Sequence, residues 1–238
     1  MKIPIFIIVH NHLEILKRSL SSYEKFIDHP KQFVFHNTNS QYQPCLDFLK
    51  EREAQGDLVY HTNTNRHLSV MNTVREYLSK HPDVKYYILT DPDIELNNTR
   101  DNIVEAFIYL LNKYSVYSVG PSLKIDDIPD HYPKKQAVLK RHTHFHESPR
   151  IKENFEGQDF ETTRAAIDTT FQLIRAINVD KPFHRRFPHK HCLRVFEPYD
   201  ARHLDWYIDP NNMTDCQKYY RENTTSISHW NNLKFKGF

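Results

Sequence analysis

The chain has 238 residues, 39% of them hydrophobic and 26% charged, with a formal net charge of +2. That balance excludes a disordered chain and supplies enough Ile, Leu, Val, Tyr and Phe for one sizeable interior. It gives no charge-based reason to expect nucleic acid as a partner. Three widely spaced cysteines (Cys45, Cys192, Cys216) contain no CxxC pair, which argues against a zinc cluster or a disulfide framework and fits a reducing, cytoplasmic location. The opening apolar run is too short to span a membrane and lacks the basic leader of a signal peptide, so no transmembrane segment is expected.

The first half alternates strands and helices. Ile3–Val9 is a continuous β-branched and aromatic run, the pattern of a strand covered on both faces. Leu13, Leu16, Leu20 and Tyr23 recur at helical spacing across 13–26. A second strand at Gln32–Phe35 runs into the polar stretch His36-Asn37-Thr38-Asn39-Ser40, and a helix follows around Cys45–Arg52. A third strand, Asp57–His61, ends near Asn63-Thr64-Asn65-Arg66, ahead of a helix over Ser69–Lys80. The fourth strand, Val84–Thr90, stops at Asp91-Pro92-Asp93. Thr99 is the expected N-cap of a helix carrying Ile103, Phe107, Leu110 and Leu111, and a fifth strand is expected at Ser115–Lys124. Repeated strand–helix units of this length predict an α/β fold, a mostly parallel sheet with helices on both faces.

From Asp126 to Arg164, Pro, His and charged residues dominate with little periodicity, which reads as a long functional loop or inserted subregion. The basic runs Lys134–His146 and Arg185–Arg194 read as solvated loop faces. Ala165–Arg175 and Arg194–Tyr199 are strand-like, and the aromatic tail from Asp215 can dock back on the body. The expected organisation is one domain over 1–238, with a nucleotide-binding half (1–125) and an acceptor-side half (126–238).

The strongest chemical signal is Tyr86-Tyr87-Ile88-Leu89-Thr90-Asp91-Pro92-Asp93. A buried strand delivers two carboxylates, two residues apart, at its carboxyl end, where open α/β sheets bind ligands. With a strand period of two, Asp91 and Asp93 can point the same way. Hard oxygen donors at this spacing suit Mg²⁺ or Mn²⁺. The polar ends of the first three strands should line the same edge. Val9, His10 and Asn11, then His36 and Asn37, then Asn65 and Arg66, with Thr90, Asp91 and Pro92, form a candidate nucleotide site. Asn and Ser at such places also simply make turns.

Together these motifs resemble the nucleotide-binding half of GT-A glycosyltransferases, a Rossmann-like fold, and especially the inverting family 2. The resemblance extends to Leu123-Lys124-Ile125-Asp126-Asp127-Ile128-Pro129-Asp130-His131-Tyr132, Ile167-Asp168-Thr169-Thr170-Phe171 and Arg202-His203-Leu204-Asp205-Trp206-Tyr207, landmarks similar to those of small bacterial and viral family-2-like enzymes. It implies sugar transfer from a nucleotide diphosphate, UDP in the first instance, to a glycan or other hydroxyl acceptor. It also implies His203 as a metal ligand beside Asp91 and Asp93. Two departures stand out. His36-Asn37 replaces the usual Asp-Asn at the end of the second strand, and the Glu-Asp pair that often supplies the base is absent. For the base, Asp168 inside an apolar stretch is the first candidate, because partial burial would raise its pKa. Asp126 and Asp127 follow, and Asp205 is the third option, with a plain surface acid as the alternative reading. Arg66 or Arg202 would face the phosphates. A nucleotidyltransferase is a rival reading, although only 4 glycines occur and no Gly-rich phosphate loop follows the first strand. A GT-A-shaped sugar-binding module without turnover is another.

Overall fold

Burial along Ile3–Val9 is complete, and the side chains of this strand (β1) alternate between two apolar layers. Ile3, Ile5, Ile7 and Val9 meet helices α1 (Leu13–Phe26), α2 (Gln43–Ala54) and α4 (Ile103–Lys113). Phe6 and Ile8 meet α3 (Val70–Lys80) through Val70, Val74 and Tyr77 on the other face. The period of two thus puts helices on both faces of the sheet, as the alternation predicts. The computed structural model describes residues 2–66, 69–97, 99–167, 169–180 and 191–224.

The remaining strands are β2 (Lys31–Thr38), β3 (Leu58–Thr62), β4 (Tyr86–Thr90), β5 (Ile94–Leu96), β6 (Ser118–Pro121), β7 (Ile151–Phe155), β8 (Gln158–Arg164), β9 (Gln172–Arg175), β10 (Cys192–Val195) and β11 (Ala201–His203). Among the described residues they form a nine-stranded sheet ordered β3-β2-β1-β4-β9-β6-β10-β8-β7, and a ribbon pairing β11 with β5. Pairing is parallel for β1–β2, β1–β4, β2–β3 and β6–β10. It is antiparallel where β9 meets β4 and β6, and in the β10–β8 and β8–β7 pairs. Because β9 runs against both its neighbours, β4, β6 and β10 run the same way. Their carboxyl ends therefore share one edge with those of β1, β2 and β3.

Several local expectations need correction. Asn102, not Thr99, stands at the N-cap position of α4, while the Thr99 hydroxyl donates to Pro198 O at 2.7 Å. The fifth strand is short, Ser118–Pro121. The 126–164 stretch is ordered. It holds α5 (Lys135–Glu147) and the β7–β8 hairpin, so most of the basic run Lys134–His146 lies on a helix. That helix is weakly amphipathic, which is why periodicity missed it. The strand expected over Ala165–Arg175 begins at Gln172. In the tail, α6 (Asp215–Asn223) starts with a Thr214–Gln217 capping box and docks through Tyr219 on Tyr42 and Tyr220 on His12. Trp230, Phe235 and Phe238, and Arg185–Lys190 of the second basic run, lie outside the described residues.

His36 shows how one buried polar side chain is satisfied. Ser69 Oγ donates to Arg66 O at 2.5 Å, so it accepts from His36 Nε2 at 2.8 Å, and His36 Nδ1 accepts from Thr73 Oγ1 at 2.8 Å. The ring is therefore neutral, and burial pushes its pKa down to about 4. Between pH 6.5 and about 4 the unfolded chain takes up a proton here and the folded one does not, so stability is lost as pH falls. We expect the melting temperature to fall less between pH 7 and pH 5 in His36→Gln than in wild type. Parallel slopes for the two proteins by differential scanning fluorimetry would overturn the assignment.

Candidate active site

The carboxyl end of β4 carries the site. Tyr23, fully buried on α1, donates its hydroxyl to Ile94 O at 2.7 Å and lies 3.2 Å from Thr90 Oγ1. It thereby braces both sides of the Asp91-Pro92-Asp93 turn from below. The chain then enters β5, which pairs antiparallel with β11 so that Ile94 faces His203. Leu204 N donates to Asp93 O at 2.7 Å. This register puts the His203 imidazole beside Asp93, with Nδ1 3.5 Å from Asp93 Oδ2. A 3-10 turn over Leu204–Tyr207 folds back and brings Asp205 in as well.

Asp93, His203 and Asp205 are all buried, and one donor atom from each lies within 4.8 Å of the other two. Asp93 Oδ1 is buried without a hydrogen-bond partner. Burial first, then the neighbouring Asp205 and Asp91 carboxylates, push the Asp93 pKa well above the usual carboxylate range. Donors held about 2.1 Å from one ion lie about 3.0 Å apart when cis and about 4.2 Å when trans, so the three groups would draw closer together around a shared ion. Two hard carboxylates with one imidazole fit Mn²⁺ well and Mg²⁺ less well.

Asp91 stands beside this trio rather than in it. Its carboxylate accepts from the Thr169 hydroxyl, and its N–H donates to Thr169 O at 2.6 Å. Asp205, on the sequence a third option for the base or a surface acid, is 1% exposed and is the residue that sequence reasoning missed as a candidate ligand. Its signal was its place between Leu204 and Trp206, the same apolar bracketing that singled out Asp168. His12, at the polar end of the first strand, also approaches Asp205. Its ring stacks on Tyr220 at 4.0 Å and 8°, and its Nδ1 lies 3.7 Å from Asp205.

The predicted nucleotide residues share the edge and are wired to one another. His10 Nδ1 donates to Thr38 O at 2.7 Å, so Nε2 accepts from Asn11 and Asn65 at 3.3 and 3.2 Å. Asn11, at φ 56°, accepts with Oδ1 from the backbone N–H of Gln41 and Tyr42. Asn37 Oδ1 accepts from Ser40 N at 3.0 Å, and its amide nitrogen donates to His61 Nδ1 at 2.9 Å. Val9 is buried, with its carbonyl accepting from Thr38 Oγ1. Thr90 is buried, Pro92 half-buried, and Arg66 exposed at the rim. His36 is fully buried, and both its ring nitrogens are engaged by Thr73 and Ser69 at the start of α3.

The base candidates separate. Asp168 lies outside the described residues. Asp127 accepts from Arg202 through its guanidinium and from the Tyr207 hydroxyl. Burial alone would raise its pKa, but these two donors hold it below the usual range, and the Arg202 guanidinium is engaged with it. Asp126 is exposed and lines a cavity of about 880 Å³ with Lys124, Arg150, Glu161, Phe196 and Asp200. Lys124 and Asp126 follow β6, Phe196 and Asp200 follow β10, Arg150 precedes β7 and Glu161 lies on β8, so the cavity opens at the same edge as the carboxylates. A second cavity, about 510 Å³, sits at the opposite end of β4 around Tyr86 and Arg175 and holds none of these groups.

No family model matches the chain. An uncharacterized protein of Acanthamoeba polyphaga mimivirus is 24% identical over 150 residues, covering 58% of this chain and 30% of that protein. The chain thus spans less than a third of that relative. Among solved structures, the mannosyltransferase PcManGT from Pyrobaculum calidifontis, in complex with GDP-Man and Mn²⁺, matches with a TM-score of 0.48 at 11% identity over 79% of this chain and 48% of its own. TarS 1-349 from S. aureus matches at 0.47 and 15%, over 80% and 51%. Glucosyl-3-phosphoglycerate synthase from Mycobacterium tuberculosis, with Mn²⁺, UDP-Glc and phosphoglyceric acid, matches at 0.42 and 9%, over 74% and 57%.

A raised carboxylate pKa costs stability at neutral pH, because the unfolded chain ionises freely where the folded one resists. Asp93→Asn should therefore melt higher than wild type in EDTA at pH 7.5, yet lose the stabilisation that Mn²⁺ gives the wild type. A lower melting temperature in EDTA, or an undiminished Mn²⁺ shift, would count against the cluster as described.

Proposed function

We propose that the protein is a metal-dependent GT-A glycosyltransferase that moves a sugar from a nucleotide diphosphate, UDP first, to a hydroxyl acceptor such as a glycan. The observation that carries this reading is the buried Asp93–His203–Asp205 trio at the carboxyl end of β4, flanked by three polar strand ends on one edge. Asp93, His203 and Asp205 would hold Mn²⁺ or Mg²⁺, with Asp91 adding a carboxylate on the nucleotide side. The ion would supply charge neutralisation for the leaving diphosphate. We assign nucleotide contacts to the loops carrying Val9, His10, Asn11, Asn37, Asn65 and Arg66 and to Thr90-Asp91-Pro92.

The reaction follows as one displacement with inversion. The acceptor oxygen forms its bond to the anomeric carbon as the carbon–oxygen bond to the diphosphate breaks, and the hydroxyl proton passes to a carboxylate base. The base we propose is Asp168. Asp127 is the weaker candidate, since a carboxylate held low by Arg202 and Tyr207 is a poor proton acceptor. The acceptor is assigned to the cavity above Asp126, in the 126–238 half of a single domain. The buried, unpaired thiols of Cys45, Cys192 and Cys216 suit a cytoplasmic setting. Among the described residues no helix is long and apolar enough to cross a membrane.

A screen of nucleotide sugars for slow Mn²⁺-dependent hydrolysis tests the activity and names the donor, with EDTA expected to abolish turnover. With that donor, Asp168→Asn should leave donor affinity within a small factor and lower kcat by about 10² or more. Asp127→Asn should lower the melting temperature instead, because it strips Arg202 and Tyr207 of their shared acceptor. A normal kcat in Asp168→Asn with a collapsed one in a fully folded Asp127→Asn would move the base to Asp127.

A further inference from the structure

We propose that Trp206 is a positioning residue that fixes the plane of the His203 imidazole and so sets the preference of the site for Mn²⁺ over Mg²⁺. This rests on the metal-site reading above. The Trp206 and His203 rings stack with centroids 4.8 Å apart and planes only 4° from parallel. Trp206 is fully buried. It also meets His142 on α5, ring to ring at 4.9 Å and 64°, an edge-to-face contact of the kind aromatic pairs favour. His142 is itself buried and makes a second edge contact with Phe145. Three rings therefore run from the metal trio into α5.

The ring plane needs such a support. The χ2 torsion of histidine is broad and roughly two-fold, so the backbone alone does not set the direction of the nitrogen lone pair. His203 closes a three-residue strand and the next residue enters a 3-10 turn, so the local chain offers little further restraint. The stacked indole leaves the ring to slide within its plane but not to tilt out of it. In that plane Nδ1 lies 3.5 Å from Asp93 Oδ2. Carboxylates rotate to suit either cation, whereas an imidazole binds only along one direction. Loss of the stack should thus weaken the ion that gains most from nitrogen, Mn²⁺, more than the oxygen-seeking Mg²⁺.

The test is metal binding by isothermal titration calorimetry on the full chain, with circular dichroism and melting in EDTA as the folding control. For Trp206→Leu we expect Mn²⁺ affinity to fall by about 10- to 100-fold, the usual cost of losing a group that orients a ligand, and the Mn²⁺ to Mg²⁺ preference to fall about tenfold or more. Trp206→Phe, which keeps a flat face, should retain most of the preference, and His142→Leu, which leaves the indole in place but removes its far support, should fall between. If Trp206→Leu does not fold, the ordering of wild type, Trp206→Phe and His142→Leu decides. Equal losses for both ions, or an unchanged preference in every folded variant, would overturn the role of Trp206 and leave the metal site standing. A wild-type protein that binds neither ion would overturn both.

Discussion

Bringing two carboxylates within a few ångströms of each other in a protein interior requires a structure that holds them there. Asp93 and Asp205 are in that position, 7% and 1% exposed, and much of the surrounding architecture holds them there. Removing an ion from water is expensive, and attraction in the interior repays it only when geometry and hydrogen bonds are good. Here the neighbours of Asp93 are a second acid, a third, Asp91, and the His203 imidazole. Such an arrangement persists in a folded protein when the rest of the structure over-determines it. A divalent cation reverses the local logic, turning mutual repulsion into shared coordination.

The over-determination is visible in the elements. Tyr23 ties α1 to both flanks of the acidic turn, and Leu204 N caps the Asp93 carbonyl. The β5–β11 ribbon is only three residues on each side, far below the length at which an isolated hairpin is stable. It persists because Ile94, Leu96 and Ala201 are buried in the main core. The apolar side chains of the ribbon supply the stability, and its register supplies the position of His203. A slip of one residue would turn the imidazole to the opposite face and leave Asp93 without its partner.

The parallel half of the sheet was legible because buried strands and amphipathic helices leave strong periodic signals. Leu13, Leu16, Leu20 and Tyr23 predict α1 to the residue. The second half was not, for a physical reason. Its strands pair mostly antiparallel and its hairpin lies at an edge, so Lys152 and Asp159 face solvent while Glu153 is buried against Tyr109 and Lys113 of α4 and Tyr114 just after it. A charged residue used as a core anchor breaks any hydrophobic count. The same holds for α5, where His142 acts as a core residue through contacts with Trp206. At the site, Asp93 and His203 were readable from motif and resemblance. Asp205 required knowing that a 3-10 turn folds it back onto its own strand.

The environments of the acids also divide their roles. Asp93 is pushed up by burial and by other carboxylates, and Asp127 is held down by a guanidinium and a phenol despite partial burial. Groups whose pKa values are driven apart in one cleft are suited to different tasks. A carboxylate that already accepts from Arg202 and Tyr207 gains little from a proton and works best as a fixed anchor. The anchor matters because Arg202 lies on β11, directly before His203. Through the Asp127–Arg202–Tyr207 contacts, the loop after β6 pins both ends of the segment that carries His203 and Asp205. Asp127 thereby braces the ribbon that carries His203 and holds it beside Asp93 and Asp205.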